Sequence, residues 1–175
     1  MPNYQGNLDG LCGPYAVVNA FERCGVQKLD EVFETACSAI ALRRWPKVLW
    51  EGTSFGDLRR MIRRCKDTIG EAASIRTSYP FHRKTPKSNE SFWKELDQIL
   101  TDRPSVRCMI LGLTRPDYHW IVAHRETSNR LTFVDTDPHN PSRRKNRKML
   151  YAGVRNGHPS KWIIDRGELI LFEVN

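Results

Sequence analysis

The stretch Asn3–Phe21, NYQGNLDGLCGPYAVVNAF, places a cysteine directly before an apolar pattern with helical spacing. The pattern predicts a helix over residues 14–24, and the glycine that follows is suited to cap its C-terminus. Cys12 lies at the start of this helix, where unpaired N–H groups and the helix dipole favour the reactive thiolate. Gly10 and Gly13 flank it with little bulk and leave room for a substrate backbone. Cys12 is therefore a candidate nucleophile.

The histidine that a catalytic cysteine needs must come from a different part of the chain. Of the five histidines, His119 opens the apolar run HWIVAH after the turn RPDY, and His124 faces the opposite side of a flat strand. A hairpin turn at Ser128–Asn129 returns the next strand, LTFVD, beside this run. Asp135 then accepts the ring N–H of His119. Asp137, two residues further on the same strand face, is the second candidate for this role.

Helical patterns precede strand patterns in the rest of the chain. Further helices are predicted over residues 30–42, from Ser54 as N-cap onward, and over residues 90–102. The predicted strands are SVRCMILGL, HWIVAHRE, RLTFVDTD and GELILFEVN, with ASIRTSY as an edge strand. This order predicts an α+β fold in which N-terminal helices pack on a C-terminal antiparallel β-sheet.

The composition is that of one soluble globular domain over residues 1–175. Hydrophobic residues make up 39% of the chain, and no apolar run approaches the ~20 residues that cross a bilayer. The N-terminus lacks the layout of a secretory signal, so a cytoplasmic protein is expected, with export as an effector left open. The five cysteines contain no CxxC pair, which argues against a zinc knuckle. No metal and no organic cofactor is implied, because the sequence has no ligand cluster or phosphate-binding loop.

The net charge of +8 favours an anionic partner or surface, but only loosely. Much of the excess lies in Arg59–Lys66, at helical spacing, and in Arg143–Lys148, which is expected in a loop. Plain solvated surface is the favoured interpretation of both clusters. The alternatives are contact with an acidic protein substrate, with a membrane surface or with nucleic acid, the last not favoured.

Three segments of the chain carry a resemblance to a known family. They are Gln5 with DGLCGPYA at residues 9–16, HWIV at residues 119–122, and VDTDP at residues 134–138. In this order they resemble the papain-like cysteine peptidase superfamily. Within it they are similar to compact bacterial branches, namely peptidase domains that trim bacteriocin leaders and effector toxins that deamidate or cleave host proteins.

The resemblance implies roles for four residues. Cys12 is the nucleophile, His119 the general base and then acid, and Asp135 the residue that orients the histidine. Gln5 is the implied oxyanion-hole donor, although the papain pattern usually places its glutamine one residue closer to the cysteine. An extra residue in the intervening loop absorbs this difference; otherwise Asn7 or the backbone N–H of Cys12 holds the oxyanion.

Such a triad attacks a carbonyl carbon and forms an acyl-thioester. Hydrolysis of a peptide bond makes the protein a protease, and hydrolysis of a glutamine side chain makes it a deamidase. Transfer to an amine makes it a transglutaminase-like acyltransferase. Peptide hydrolysis is the favoured interpretation and deamidation the second. A non-catalytic binding module with a basic surface is the alternative from another class.

Overall fold

The computed structural model describes residues 10–115, 117–127, 129–135, 143–154 and 162–174. Within these ranges helices come first along the chain and strands follow, as the α+β prediction requires. The helical elements are α1 Cys12–Arg23, α2 Leu29–Ser38, a 3₁₀ turn at Leu42–Arg44, α3 Val48–Glu51, α4 Phe55–Thr68, α5 Gly70–Ala73, α6 Asn89–Asp102 and a second 3₁₀ turn at Arg147–Met149.

The strands form one sheet in the described part of the chain. They are β1 Arg76–Ser78, β2 Val106–Arg115, β3 His119–Thr127, β4 Arg130–Val134, β5 Arg143–Asn146, β6 Leu150–Ala152 and β7 Trp162–Glu173. The order across the sheet is β1-β7-β2-β3-β4-β5, with antiparallel neighbours throughout, and β6 pairs with β7 in parallel. The predicted antiparallel sheet is thus confirmed, and β7 lies inside it between β1 and β2.

Apolar side chains cover both faces of the sheet. On one face, Phe21 of α1 and Leu58 of α4 belong to the same core as Val122 of β3. On the other face, Phe92 of α6 shares a core with Ile121, because neighbouring residues of a strand point to opposite sides. Each fully buried phenylalanine adds roughly 1.5–3 kcal/mol of hydrophobic stabilisation. These two cores fix the start of α1 relative to the ends of the central strands.

Helix α1 begins at Cys12, two residues before the predicted start, and ends with a glycine cap. Gly25 has a φ of 95°, a conformation that favours glycine. Its N–H donates to the Glu22 carbonyl at 2.9 Å, and the Val26 N–H donates to the Phe21 carbonyl at 3.1 Å. This pair of bonds is a Schellman motif, so the predicted C-terminal cap is confirmed.

Some elements differ from the sequence prediction. Helix α2 ends at Ser38 rather than at residue 42; Ile40 is buried at helical spacing from Ala36, so the apolar pattern outlasts the helix. The four-residue helices α3 and α5 each bury a single side chain, Val48 and Ala72 respectively. One buried side chain leaves no periodic pattern to find.

The basic segment Arg143–Lys148 is a strand and a 3₁₀ turn rather than the predicted loop. Its first four residues form β5, which pairs with β4 from Arg143 opposite Phe133 to Asn146 opposite Arg130. A sheet edge tolerates many charged residues, because water solvates them and they discourage pairing with another chain. The segment therefore lacks the apolar alternation by which strands are recognised.

Candidate active site

Cys12 is the first residue of α1, in agreement with its expected place at the N-terminal end of this helix, and it is 7% exposed. Its neighbouring glycines are used for packing. A side chain on Gly13 would collide with the side chain of Thr53, and Gly10 donates its N–H to the Leu49 carbonyl at 2.7 Å. The prediction that these glycines leave room for a substrate is thus corrected: protein atoms already occupy the space beside them.

Strands β3 and β4 bring a histidine and an aspartate together at one end of the sheet. Their register pairs Val122 with Val134, which makes Asp135, directly after β4, a diagonal neighbour of His119. His119 Nε2 lies 2.7 Å from Asp135 Oδ1, and Asp135 is 4% exposed. The predicted contact between these residues is therefore present. Asp137, the second candidate, lies outside the described residues.

The protonation of His119 depends on two neighbours. Burial opposes a positive charge on the ring, but hydrogen bonds with Asp135 and with the Cys12 thiol outweigh it and raise the pKa of His119 to about 10. Because Asp135 holds Nε2, the other ring nitrogen, Nδ1, is left for the cysteine. An imidazolium held between an acid and a thiol is the electrostatic setting that a thiolate nucleophile needs.

Cys12 and His119 both line a cleft of ≈ 210 Å³. The rest of its lining comes from residues 51–54, Gly112 and Leu113 of β2, Tyr118 and Trp120 beside the histidine, and Glu168 of β7. The indole N–H of Trp120 donates to the Thr53 carbonyl at 2.8 Å. This bond ties the wall formed by residues 51–54 to the strand that carries His119.

A buried aspartate stabilises the cleft wall formed by residues 51–54. Asp57 is inaccessible to solvent and accepts hydrogen bonds from the Ser54 backbone N–H at 2.8 Å and from the guanidinium groups of Arg44 and Arg60. Arg44 also donates to the Gly52 carbonyl at 2.9 Å. Burial opposes ionisation, but the Ser54 bonds and the two guanidinium groups outweigh it and lower the pKa of Asp57. The ion pairs thus connect the N-terminus of α4 to the cleft wall.

Glu168 is a cleft residue that sequence reasoning missed. A side chain on Gly112 would collide with its carboxylate, so the glutamate lies across β2 at that position. Burial, together with the charge of nearby Asp165, raises the pKa of Glu168 to about 7. The available signal was the polar interruption DRGE inside the apolar run WIIDRGELILF, which is unusual for an interior strand.

The basic residues of the edge strand are partly engaged in structure. Lys145 Nζ lies 4.0 Å from the ring centroid of Trp162. Arg147 pairs with Asp97 at 2.6 Å and stacks on Trp93, with 4.6 Å between its Cζ and the ring centroid. Strand β5 begins with Arg143 opposite Phe133, near the end of β4 that Asp135 follows, and runs away from that end to Asn146 opposite Arg130. Only the first residues of the basic segment therefore lie near Asp135.

The cysteines other than Cys12 differ in their access to solvent. Cys65 and Cys108 are buried, and burial raises the pKa of Cys65 to about 12. Cys24 and Cys37 are half-buried. A hydrogen bond with Cys108 lowers the pKa of Cys24 and outweighs the effect of burial. Cys24 is therefore a second thiol that an alkylating reagent can reach.

Some functional expectations fall beyond what the structure covers. Gln5 and Asn7, the candidate oxyanion donors, lie outside the described residues. Among the residues with described positions, no group of three or more His, Cys, Asp or Glu side chains is arranged to hold a metal ion. No helix in that part of the chain is long and apolar enough to cross a membrane.

Comparison with known proteins gives one fold neighbour. No protein-family model and no curated protein matches the chain. A similar solved structure is the peptidase domain of Streptococcus ComA, a bifunctional ABC transporter involved in a quorum-sensing pathway. The two share 14% sequence identity with a TM-score of 0.55, over 99% of this chain and 97% of that domain. At this identity the likeness is one of architecture: the chain has an α+β, papain-like fold similar to that of this peptidase domain.

Proposed function

We propose that the protein is a cysteine hydrolase that cleaves peptide bonds in a peptide or protein substrate. Cys12 is the nucleophile, His119 the general base and then acid, and Asp135 the residue that orients His119. The observation that carries the proposal is that Cys12, at the start of α1, and His119 line the same cleft, while His119 Nε2 lies 2.7 Å from Asp135 Oδ1. The fold neighbour, itself a peptidase domain, supports hydrolysis of peptides over the other acyl transfers.

The reaction begins with the thiol proton on His119. The sulfur of Cys12 attacks the carbonyl carbon, and the carbonyl electrons move to oxygen to form the tetrahedral oxyanion. His119 then gives its proton to the leaving amine, which departs and leaves an acyl-thioester. Water, deprotonated by the same imidazole, attacks the thioester and releases the acid. Asp135 holds the ring through both transfers and stabilises the imidazolium.

The oxyanion needs donors near the start of α1. The backbone N–H of Cys12 is one candidate, because it belongs to the first turn of a helix, where N–H groups have no carbonyl partner within the helix. Gln5 is the other proposed donor, with Asn7 as its alternative. A missing oxyanion donor typically lowers kcat by about 10²–10³-fold, so single substitutions of the two side chains separate the alternatives.

Deamidation of a glutamine side chain and acyl transfer to an amine remain alternatives on the same triad. Both use the acyl-thioester and differ only in the group that leaves or accepts. A further alternative is a non-catalytic binding module, in which these three residues take part in no reaction. For the substrate, a peptide or protein is proposed, and recruitment of an acidic one by the basic surface is the finer form of that proposal.

The test is an intact-mass assay of the purified protein against a proteome-derived peptide library. Peptide cleavage is expected, and it should disappear in Cys12→Ala but persist in Cys37→Ala, which changes a half-buried thiol that does not line the cleft. A one-dalton increase without cleavage would establish deamidation instead. Neither change, together with iodoacetamide labelling of Cys12 no faster than that of Cys24 by peptide mapping, would favour the binding module.

A further inference from the structure

The position of Glu168 results from a local irregularity of the sheet. Strand β2 pairs Leu111 with Leu169 and Leu113 with Ile164, so one residue of β2 stands opposite four residues of β7. The extra residues of β7 bulge outward at this point, and bulges commonly re-aim side chains next to active sites. Here the bulge, together with the absence of a side chain on Gly112, directs the Glu168 carboxylate into the cleft.

The Glu168 carboxylate is unpaired among the described residues. No hydrogen bond or ion pair joins Glu168 to another residue in the portion of the chain that the structure describes. Its pKa is raised to about 7 by burial and by Asp165. An ionised, half-buried acid without a neighbouring cation lowers the stability of the folded protein. For this reason buried charges are normally paired.

The surroundings of Glu168 are those of the proposed nucleophile. Cys12 and the protonated ring of His119 line the same cleft, and the ring is already engaged by Asp135. The other ionisable groups that face this space are Glu51 and Tyr118. Within the described ranges of the chain none of these groups neutralises Glu168, and a positively charged group of an incoming substrate can do so.

We infer that Glu168 is a specificity-determining residue that selects peptide substrates with a lysine or arginine side chain at the position bound over Gly112. The inference rests on the proposed peptidase function and adds the chemical class of the substrate. A bound ammonium or guanidinium group supplies the missing ion pair and favours the ionised carboxylate. Glu168 takes no part in bond making or breaking.

The first test compares cleavage specificity in the wild type, Glu168→Gln and the control Glu34→Gln, which changes an exposed glutamate of α2. Wild type and control should enrich lysine and arginine at one position of cleaved peptides by about tenfold, as expected for one partly desolvated ion pair. Glu168→Gln should lose this enrichment and still cleave neutral peptides. Cleavage without enrichment in the wild type, or enrichment that persists in Glu168→Gln, would overturn the inference.

The second test needs no peptidase activity. Methanethiosulfonate reagents with a trimethylammonium or a sulfonate group modify the Cys12 thiol, and peptide mapping separates this site from Cys24. At pH 8 the ratio of cationic to anionic labelling rates should be about five- to tenfold higher in the wild type than in Glu168→Gln. At pH 5.5 Glu168 is protonated and the two ratios should converge. Equal ratios at pH 8 would contradict a cation-selective role.

The two tests fail separately. If charge-selective labelling depends on Glu168 and no peptide is cleaved, the cation preference stands and the proposed peptidase function fails. If peptides are cleaved and labelling is insensitive to Glu168, the peptidase function stands and the present inference fails.

Discussion

At the scale of the residue, the charge on His119 contributes to the stability of the fold and, in the proposed mechanism, to the chemistry. The pKa of His119 is raised above its ordinary value of 6.5 to about 10, so the folded state holds this proton more tightly than the unfolded chain. The resulting stabilisation is complete below pH 6.5 and is lost as the pH rises towards 10. The charged form of His119 is therefore favoured at neutral pH.

Replacement of Asp135 by asparagine should remove much of the stabilisation of the His119 imidazolium. The pKa of His119 should fall, because a neutral amide replaces the carboxylate that stabilises the imidazolium. In a Ser-His-Asp protease the corresponding change lowers kcat by about 10⁴-fold, and a loss of similar size is expected here. Peptide turnover and the pH profile of iodoacetamide labelling at Cys12 measure the two effects. An equal or larger loss in Asp137→Asn would transfer the role to Asp137.

Glu168 should make the protein less stable at alkaline pH. Its pKa is raised from 4.5 to about 7, so the folded state binds more protons than the unfolded state between these values, and stability falls as the pH rises. Glu168→Gln should therefore raise the free energy of unfolding at pH 8, by roughly 1 kcal/mol after solvent screening, and have little benefit at pH 5. Urea denaturation at both pH values measures the difference. A loss of stability at pH 8 would show that the carboxylate supports the fold.

At the scale of the element, the cleft wall depends on the capping aspartate of α4. Asp57→Asn leaves Arg44 and Arg60 without a counter-charge and should lower the free energy of unfolding by about 1–3 kcal/mol. Because the pKa of Asp57 is lowered, its stabilisation in the wild type is present above pH 3.8 and is lost as the pH falls below that value. Urea denaturation at pH 7 is the measurement, with Asp67→Asn, an exposed change on the same helix, as control. Equal stability of the two variants would contradict the role of Asp57.

A helix or a strand pair is predicted well from the sequence where the pattern that indicates it lies within one short segment of the chain. Helix α4 has Ser54 as predicted N-cap, and the structure shows the full capping box with Asp57. The pairing of β3 with β4 follows from two β-rich runs and a turn, and it places Asp135 beside His119. The position of the Glu168 side chain depends instead on the pairing of β2 with β7, two strands that are far apart in the sequence. Local patterns contain no information about the bulge that aims it.

At the scale of the whole molecule, two cations of the basic segment are engaged in packing. Lys145 and Arg147 pack on tryptophan rings, so their replacement would confound charge with packing. Neutralisation of Arg143, Arg144 and Lys148 to glutamine leaves those contacts in place. It should lower kcat/KM for an acidic protein substrate at low salt, and the loss should shrink at high salt.

Labelling of Cys12 by iodoacetamide serves as the control for this variant and should not change. If turnover of the acidic substrate is insensitive both to salt and to the three substitutions, the basic strand is solvated surface and the recruitment proposal fails.

The interior position of β7 has a consequence for the order in which the molecule is built. A ribosome makes α1 and Cys12 before the strands, whereas β7 is made after the other described strands and pairs with β1, β2 and β6. Until β7 enters, the sheet is divided between β1 and β2, and the cleft lacks the side that bears Glu168. Such non-local pairing is slow relative to helix formation. The nascent chain thus carries the Cys12 thiol without a finished cleft around it until β7 has been made.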